Sequence, residues 1–350
     1  MDQIGISSYP EERLAGLMQE LGQPAFRARQ LFRWLHEKQV CAFCEMTDLP
    51  KALLAVLEER FTIETLAVQR RQQSRDGTVK YLLRLPDGNC IETVWMRYSY
   101  GNTVCVSTQV GCRMGCRFCA STQGGRVRSL TAGEIAGEVY AAVCDMGERV
   151  SHIVLMGIGE PLDNFDNVMD FLSIISSPHG ANIGMRNISL STCGLVPMIE
   201  KLAERHLGLT LSVSLHAPTN EMRSAMMPVN DAYPVEQLMR ACRAYQQTTG
   251  RRVSFEYSMV NGVNDSPETA RRLAQLIRGM GAHVNLIPIN PVDGSPYSAS
   301  DAANIRRFQA MLTQLGVNAT VRRRLGADIS AACGQLRREG AGLPADSIDG

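Results

Sequence analysis

Residues 104–121, VCVSTQVGCRMGCRFCAS, set the frame for the rest of the chain. Val104–Thr108 is a short run rich in β-branched residues and reads as a strand. The cysteines follow in a glycine-bearing loop. Ala132–Asp145 then carries helix-spaced apolar residues, and Thr131 with Glu134 makes a capping-box pattern at its start. Strand, loop and helix form the first unit of a series. Further runs lie at His152–Met156, Asn187–Thr192, Thr210–His216, Val253–Met259 and Val284–Ile289, with helical stretches between them. That alternation gives parallel βα units. Six such units predict an α/β fold, a partial (β/α)6 barrel. A doubly wound open sheet is the alternative, because periodicity does not fix closure.

Toward the amino terminus, residues 65–98 read as antiparallel strands. Thr78–Leu85, the turn Pro86-Asp87-Gly88-Asn89 and Cys90–Met96 make a hairpin. Before it, Glu11–Leu21, Ala25–His36 and Leu49–Phe61 are amphipathic, with Pro10, Pro24 and Pro50 near their starts. The expected organisation is a small helical accessory domain over 1–64, a β-hairpin extension over 65–97, the barrel over 98–328 and a tail over 329–350. The last dozen residues of the tail are expected to be loose.

The chain has 350 residues, 45% hydrophobic and 20% charged, with net charge +1, which excludes collagen-like, disordered and supercharged classes. No apolar run of about 20 residues occurs, so no membrane partner is expected. The start, MDQIGISSYPEERL, is not a signal peptide, and a cytoplasmic location follows as the expectation. Eleven cysteines are many for that compartment and point to metal or redox chemistry. The near-neutral charge does not advertise a nucleic-acid partner, although a local basic face can hide in it.

Cys112, Cys116 and Cys119 have the spacing C-x3-C-x2-C, just past a strand's carboxyl end, where barrels place their chemistry. Structural zinc wants four ligands, and no fourth Cys or His sits nearby in sequence. Three thiolates on an iron–sulfur cluster would leave one iron open. A zinc site completed from a distance, or three unrelated buried thiols, are the alternatives. Cys41 and Cys44 read as incidental, and Cys144, Cys193 and Cys242 as core fillers.

The triplet resembles the signature of radical S-adenosylmethionine (SAM) enzymes. Further segments narrow the likeness: Ile91-Glu92-Thr93-Val94, Cys105-Val106-Ser107-Thr108-Gln109-Val110-Gly111-Cys112, Met156-Gly157-Ile158-Gly159-Glu160-Pro161-Leu162, Ser189-Leu190-Ser191-Thr192, Ser214-Leu215-His216-Ala217, Asn285-Leu286-Ile287-Pro288-Ile289-Asn290-Pro291 and Asp328-Ile329-Ser330-Ala331-Ala332-Cys333-Gly334-Gln335-Leu336. Together they resemble the dual-specificity ribosomal and transfer RNA adenine-C2 methyltransferases (RlmN-like), over essentially the whole chain. Carbon-8 adenine methyltransferases of the Cfr type are close cousins. From a different class, a non-catalytic RNA-binding protein with structural zinc is a further alternative.

The resemblance implies a radical SAM core in which Cys112, Cys116 and Cys119 hold a 4Fe-4S cluster. It assigns Gly159, Glu160, Ser191, Ser214, Leu215, His216 and Asn290 to SAM, two molecules per turnover. Polar residues at successive carboxyl strand ends line one barrel mouth, which agrees with that assignment. Cys333 matches the cysteine that becomes methylated, Cys105 the resolving thiol whose attack leaves a disulfide, and Glu92 a proton acceptor; taken alone, Glu92 reads as a solvated strand carboxylate. Implied partners are 23S rRNA and tRNA, with an external electron donor such as flavodoxin, and the chain is expected to act as a monomer. Candidate phosphate contacts are Arg27, Arg29 and Arg33 on the accessory domain, Arg126 and Arg128 after the cysteine loop, and Arg322–Arg324, read as lying on a strand. Arg27, Arg29, Arg33 and Lys38 also fit a plain solvated helix face.

Overall fold

The computed structural model describes residues 4–290, 292, 295–331 and 334–336. Pro291, Ala332 and Cys333 lie outside the described residues, as does the tail after Leu336.

The amino-terminal module contains β1 (Ile4–Gly5), α1 (Glu11–Glu20), α2 (Phe26–His36), α3 (Lys51–Arg60) and β2 (Phe61–Thr62), which pairs in parallel with β1. Its helices start just after the prolines, where a missing N–H costs nothing. The module docks on the barrel through two buried joints. Glu64 accepts from Ser8 Oγ at 2.9 Å and from Thr131 Oγ1 at 2.5 Å. His36 Nδ1 meets the Tyr140 hydroxyl at 3.0 Å. One continuous apolar core runs from Leu14 and Phe32 into Val139, Phe171 and the barrel strands.

A ten-stranded mixed sheet carries the site. Its antiparallel part is β3 (Ala67–Gln73), β4 (Val79–Arg84), β5 (Cys90–Tyr98) and β6 (Gly101–Val106). The expected hairpin is therefore one piece of a three-stranded extension that joins the barrel through the β5–β6 pairing. A small antiparallel ribbon, β7 (Gln109–Gly111) with β8 (Arg126–Ser129), brackets the cysteine loop.

From β6 the sheet continues in parallel through β9 (His152–Leu155), β10 (Ile188–Thr192), β11 (Thr210–Ser214), β12 (Val253–Met259) and β13 (His283–Pro288). These strands sit where the apolar runs predicted them. A short further parallel strand, β14 (Asn318–Val321), extends the expected six at the edge. It ends before Arg322, so Arg322–Arg324 lie in irregular chain and not on a strand. Helices α4 (Ala132–Met146), α5 (Phe165–Ser176), α6 (Val196–Ala203), α7 (Asn220–Met226), α8 (Val229–Ala232), α9 (Val235–Thr249), α10 (Pro267–Leu276) and α11 (Ala302–Gln314) fill the connections. The Thr131–Glu134 capping box forms at α4 as expected. Strand β12 is buried along its whole length, as a parallel strand with both faces covered must be. Cys242 is buried, but Cys144, expected in the core, is exposed on the solvent side of α4.

The register of β4, β5 and β6 sets the chemistry. Lys80 pairs with Val94, Leu82 with Glu92, and Val94 with Cys105. Side chains alternate along a strand, so Lys80, Glu92, Val94 and Cys105 share one face. Thr93 and Trp95 point to the other, beneath α4, where Thr93 Oγ1 donates to the buried Glu138 carboxyl.

Candidate active site

Cys112, Cys116 and Cys119 line one cavity at the carboxyl rim of the parallel strands. The loop that bears them leaves β7 at Gly111 and folds back through a Cys119 N–H to Cys116 carbonyl bond of 3.1 Å. Gly159, Glu160, Ser191, Ser214 and His216 line the same cavity. Residues from the loop after β9 and the ends of β10 and β11 thus converge, although they are far apart in sequence. Leu215 is fully buried behind the wall, and Asn290 borders the adjoining recess with Met96, Tyr98 and Arg324. Gly159 and Glu160 sit in the loop beyond β9, not on the strand itself.

Gly159 has φ +109°, and a Cβ there would lie 2.7 Å from the Gln109 side chain. Only glycine fits that turn. Glu160 accepts from the N–H groups of Leu162 at 3.0 Å and Cys193 at 2.8 Å. Burial pushes its carboxyl up, and these bonds oppose the shift. His216 adopts φ +57°, and its Nδ1 accepts from Ser258 N–H at 2.9 Å. Burial, reinforced by Arg223, lowers its pKa to about 3. The imidazole is therefore neutral with its proton on Nε2, edge-on to Phe118 of the cysteine loop. Both features suit a hydrogen-bonding wall residue and not an acid or base.

Lys80 and Glu92 form a buried ion pair, Nζ to Oε1 2.7 Å. Glu92 is fully enclosed, so the solvated-carboxylate reading of it fails. Cys105 packs on the same face with Val94, Ile158, Ala331 and Leu336. Ala331, Gly334 and Leu336 flank Cys333, and their positions are tied down. Ala120 N–H donates to the Gly334 carbonyl at 2.8 Å, and Ser121 Oγ to the Leu336 carbonyl at 2.7 Å. Upstream, Asp328 accepts from Ser74 Oγ at 2.5 Å and Gly326 N–H donates to Asp76 at 2.9 Å. Lys80 Nζ also reaches the Ser330 carbonyl at 3.4 Å. Residues 326–331 and 334–336 are thus pinned between the cysteine loop and the β3–β4 turn, and Gly334 lines the cavity.

Three cysteines that line one cavity are a donor set suited to a thiolate-held metal group. Burial pushes the Cys112 thiol up to about 12 and the Cys116 thiol well above its ordinary value. Thiols so placed ionise when a metal ligates them. Among the described residues, no three His, Cys, Asp or Glu side chains converge closely enough to hold a metal ion as they stand. Cys41 and Cys44 are exposed on the accessory module, away from any such group.

Several site residues escaped the sequence reading. Cys193 and Glu256 line the cavity; Arg322, expected as a phosphate contact, also lines it, 3.5 Å from Glu256 Oε2. Cys193, expected as a core filler, is buried against Met226, Met227 and Cys116 beside the cysteine loop. Position at a strand end was the signal that could have flagged Cys193. The candidate phosphate contacts are engaged within the chain. Arg27 bonds Gln30 and the Asp48 carbonyl, Arg29 pairs with Glu11, and Arg33 with Glu37. Arg128 pairs with Asp87 and Glu134, and Arg126 with Asp163.

A parallel βα barrel with three cysteines in the loop after its first strand defines a radical SAM enzyme, and the Radical SAM superfamily pattern matches residues 106–274. The pattern of the ribosomal RNA large subunit methyltransferase N-terminal domain matches residues 5–63. The chain is 52% identical to the probable dual-specificity RNA methyltransferase RlmN of Clostridium perfringens (strain 13 / Type A), over 95% of this chain and 96% of that protein. It is 50% identical to the protein of the same description from Staphylococcus carnosus (strain TM300), over 96% and 93%. The crystal structure of a radical SAM methyltransferase from Sphaerobacter thermophilus superposes with TM-score 0.90 at 44% identity, covering 95% of this chain and 99% of that one. The chain belongs to the dual-specificity RNA methyltransferase RlmN family and is a radical SAM RNA methyltransferase. Membership of the superfamily implies a 4Fe-4S cluster and SAM.

Proposed function

We propose that the chain methylates carbon 2 of adenosine in 23S rRNA and tRNA, with Cys333 as methyl carrier, Cys105 as resolving thiol and Glu92 as proton acceptor. One observation carries this reading. Glu92, Cys105 and the residues on either side of Cys333 meet on a single face, beside the wall that holds Cys112, Cys116 and Cys119.

Adenine carbon 2 is electron-poor and does not attack a methyl sulfonium. When bound, the cluster and SAM supply the one-electron chemistry that such a C–H requires. Cys112, Cys116 and Cys119 hold the cluster, while Gly159, Glu160, Ser191, Ser214, Leu215, His216 and Asn290 bind and orient SAM. Cys333 takes a methyl group on its sulfur from one SAM, so each turnover uses two. The Cys333 methyl group would give up one hydrogen atom through the one-electron chemistry of the second SAM, its carbon would bond to carbon 2 of the base, and the odd electron would return to the cluster. Glu92 receives the proton that leaves carbon 2, and Lys80 holds the carboxylate in place. The Cys105 thiolate attacks the Cys333 sulfur; the carbon–sulfur bond breaks and a disulfide forms. An external dithiol reductant resets the pair, and an external one-electron donor of the flavodoxin type serves the cluster. The base must leave its stack to reach this face. We place the enzyme in the cytoplasm as a monomer. No helix among the described residues is long and apolar enough to cross a membrane.

The test is anaerobic incubation of the reconstituted protein with SAM, reductant and RNA, followed by nucleoside mass spectrometry. 2-Methyladenosine is expected, and 8-methyladenosine would overturn the regiochemistry. Cys105→Ala should trap RNA covalently on the protein, and free turnover in that variant would remove the resolving role. Cys333→Ala should still cleave SAM and methylate no RNA.

A further inference from the structure

Arg223 on α7 is fully enclosed, and its guanidinium does not line the cavity. Its Nε donates to the Leu215 carbonyl at 3.2 Å. Nη2 donates to the carbonyls of Cys193 at 2.5 Å and Ser214 at 3.2 Å, and Nη1 to Asn230 Oδ1 at 3.2 Å. All four acceptors are neutral. Among the described residues no carboxylate lies within ion-pair distance of it, whereas the buried Lys80 has Glu92. An enclosed cation without a counter-charge is strongly disfavoured, and a guanidinium does not escape by losing its proton. The fold must bring an anion near it.

The neighbourhood is the cysteine loop. Helix α7 ends against the cysteine loop: Arg117 N–H donates to the Met226 carbonyl at 3.0 Å, and Met226 and Met227 pack on Cys116, Met114 and Phe118. Cys193, whose carbonyl takes Arg223 Nη2, packs in one cluster with Cys116 of the cysteine loop. Three thiolates on a 4Fe-4S cube leave a formal negative charge, which grows when the cube takes up one electron.

We propose that Arg223 is the charge partner of the iron–sulfur cluster, a positioning residue that raises its reduction potential through space. It favours the reduced cluster because that state carries more negative charge. The same guanidinium ties the carbonyls at the ends of β10 and β11, so its field is fixed in direction. The inference rests on Cys112, Cys116 and Cys119 holding the cluster.

The test is an electron-paramagnetic-resonance redox titration of the anaerobically reconstituted holoprotein, without RNA. Arg223→Met should lower the potential: at the poise where the unaltered protein is half reduced, its ratio of reduced to oxidised cluster should fall about tenfold. Arg223→Lys keeps the charge and should stay close to the unaltered protein. Asn230→Asp puts a carboxylate where Asn230 Oδ1 now accepts, with little change of shape, and should lower the potential as Arg223→Met does. It decides the matter should Arg223→Met not fold. Iron-loaded variants with an unmoved potential would overturn the inference and leave the enzyme's assignment intact. A chain that takes up no iron would remove the cluster assignment, and this inference with it.

Discussion

Lys80 and Glu92 sit on neighbouring strands, enclosed, with 2.7 Å between Nζ and Oε1. Two charges so buried depend on each other, and removing one leaves the other uncompensated. Lys80→Met should destabilise the protein by about 3–5 kcal/mol and cut RNA methylation far more than SAM cleavage. Adding Glu92→Gln should recover much of the stability while methylation stays low; chemical denaturation of the single and double variants measures the coupling. No recovery would show that the two groups act separately. At Gly159 the restraint is steric. Gly159→Ala forces a Cβ to 2.7 Å from Gln109 at a positive φ, with an expected loss of about 1–3 kcal/mol and weaker SAM binding. Calorimetric titration with SAM would check it, and unchanged affinity would free the loop from that role. The cysteine triplet was readable because three ligands within one loop are a local pattern. The Lys80–Glu92 pair was not, since it exists only once β4 and β5 have chosen their register.

Helix α2 meets α4 through His36, packed at a tilt against Phe32 and bonded to Tyr140. Burial lowers the His36 pKa from 6.5 to about 3. The unfolded chain therefore binds a proton that the folded one refuses between these values, and stability falls as pH drops. The joint is at full strength above pH 6.5 and weakens below it by about 1.4 kcal/mol per unit. Urea midpoints at pH 7.5 and 5.5 should differ less in His36→Gln than in the unaltered protein. Equal slopes would relocate the acid sensitivity to other groups such as His216. At this scale periodicity served well. The helices at 11–20, 26–36 and 51–60 and the parallel strands lie where apolar spacing put them. It failed at β14, where four residues with one buried side chain carry little pattern. Cys144 was misjudged because helical spacing says which residues share a face and not which face is covered.

Across the whole molecule, segments far apart in sequence meet at one place. Asp328 on Ser74, Gly326 on Asp76 and the Gly334 carbonyl on Ala120 fasten the tail to both the extension and the cysteine loop. Asp76→Ala combined with Asp328→Ala should lower RNA methylation about tenfold or more, since small displacements of reacting groups are that costly. Iron content and SAM cleavage should persist, and loss of both would mean that the tail supports the cluster site itself. The arginine assignments were the least legible part. A run of cations in sequence does not reveal that Glu11, Glu37, Asp87, Glu134 and Asp163 already occupy most of them.

The antiparallel extension and the barrel share one unbroken hydrogen-bonded ladder through β5 and β6. That continuity makes the acid and the thiol a matter of parity. Inserting one residue into β5 between Glu92 and Val94 would rotate the acid to the side of the sheet beneath α4, leaving Cys105 where it was. The chemistry of this face is therefore digital with respect to strand length: with Glu92 kept, a regular β5 can change its residue count between the acid and its pairing partner only in pairs.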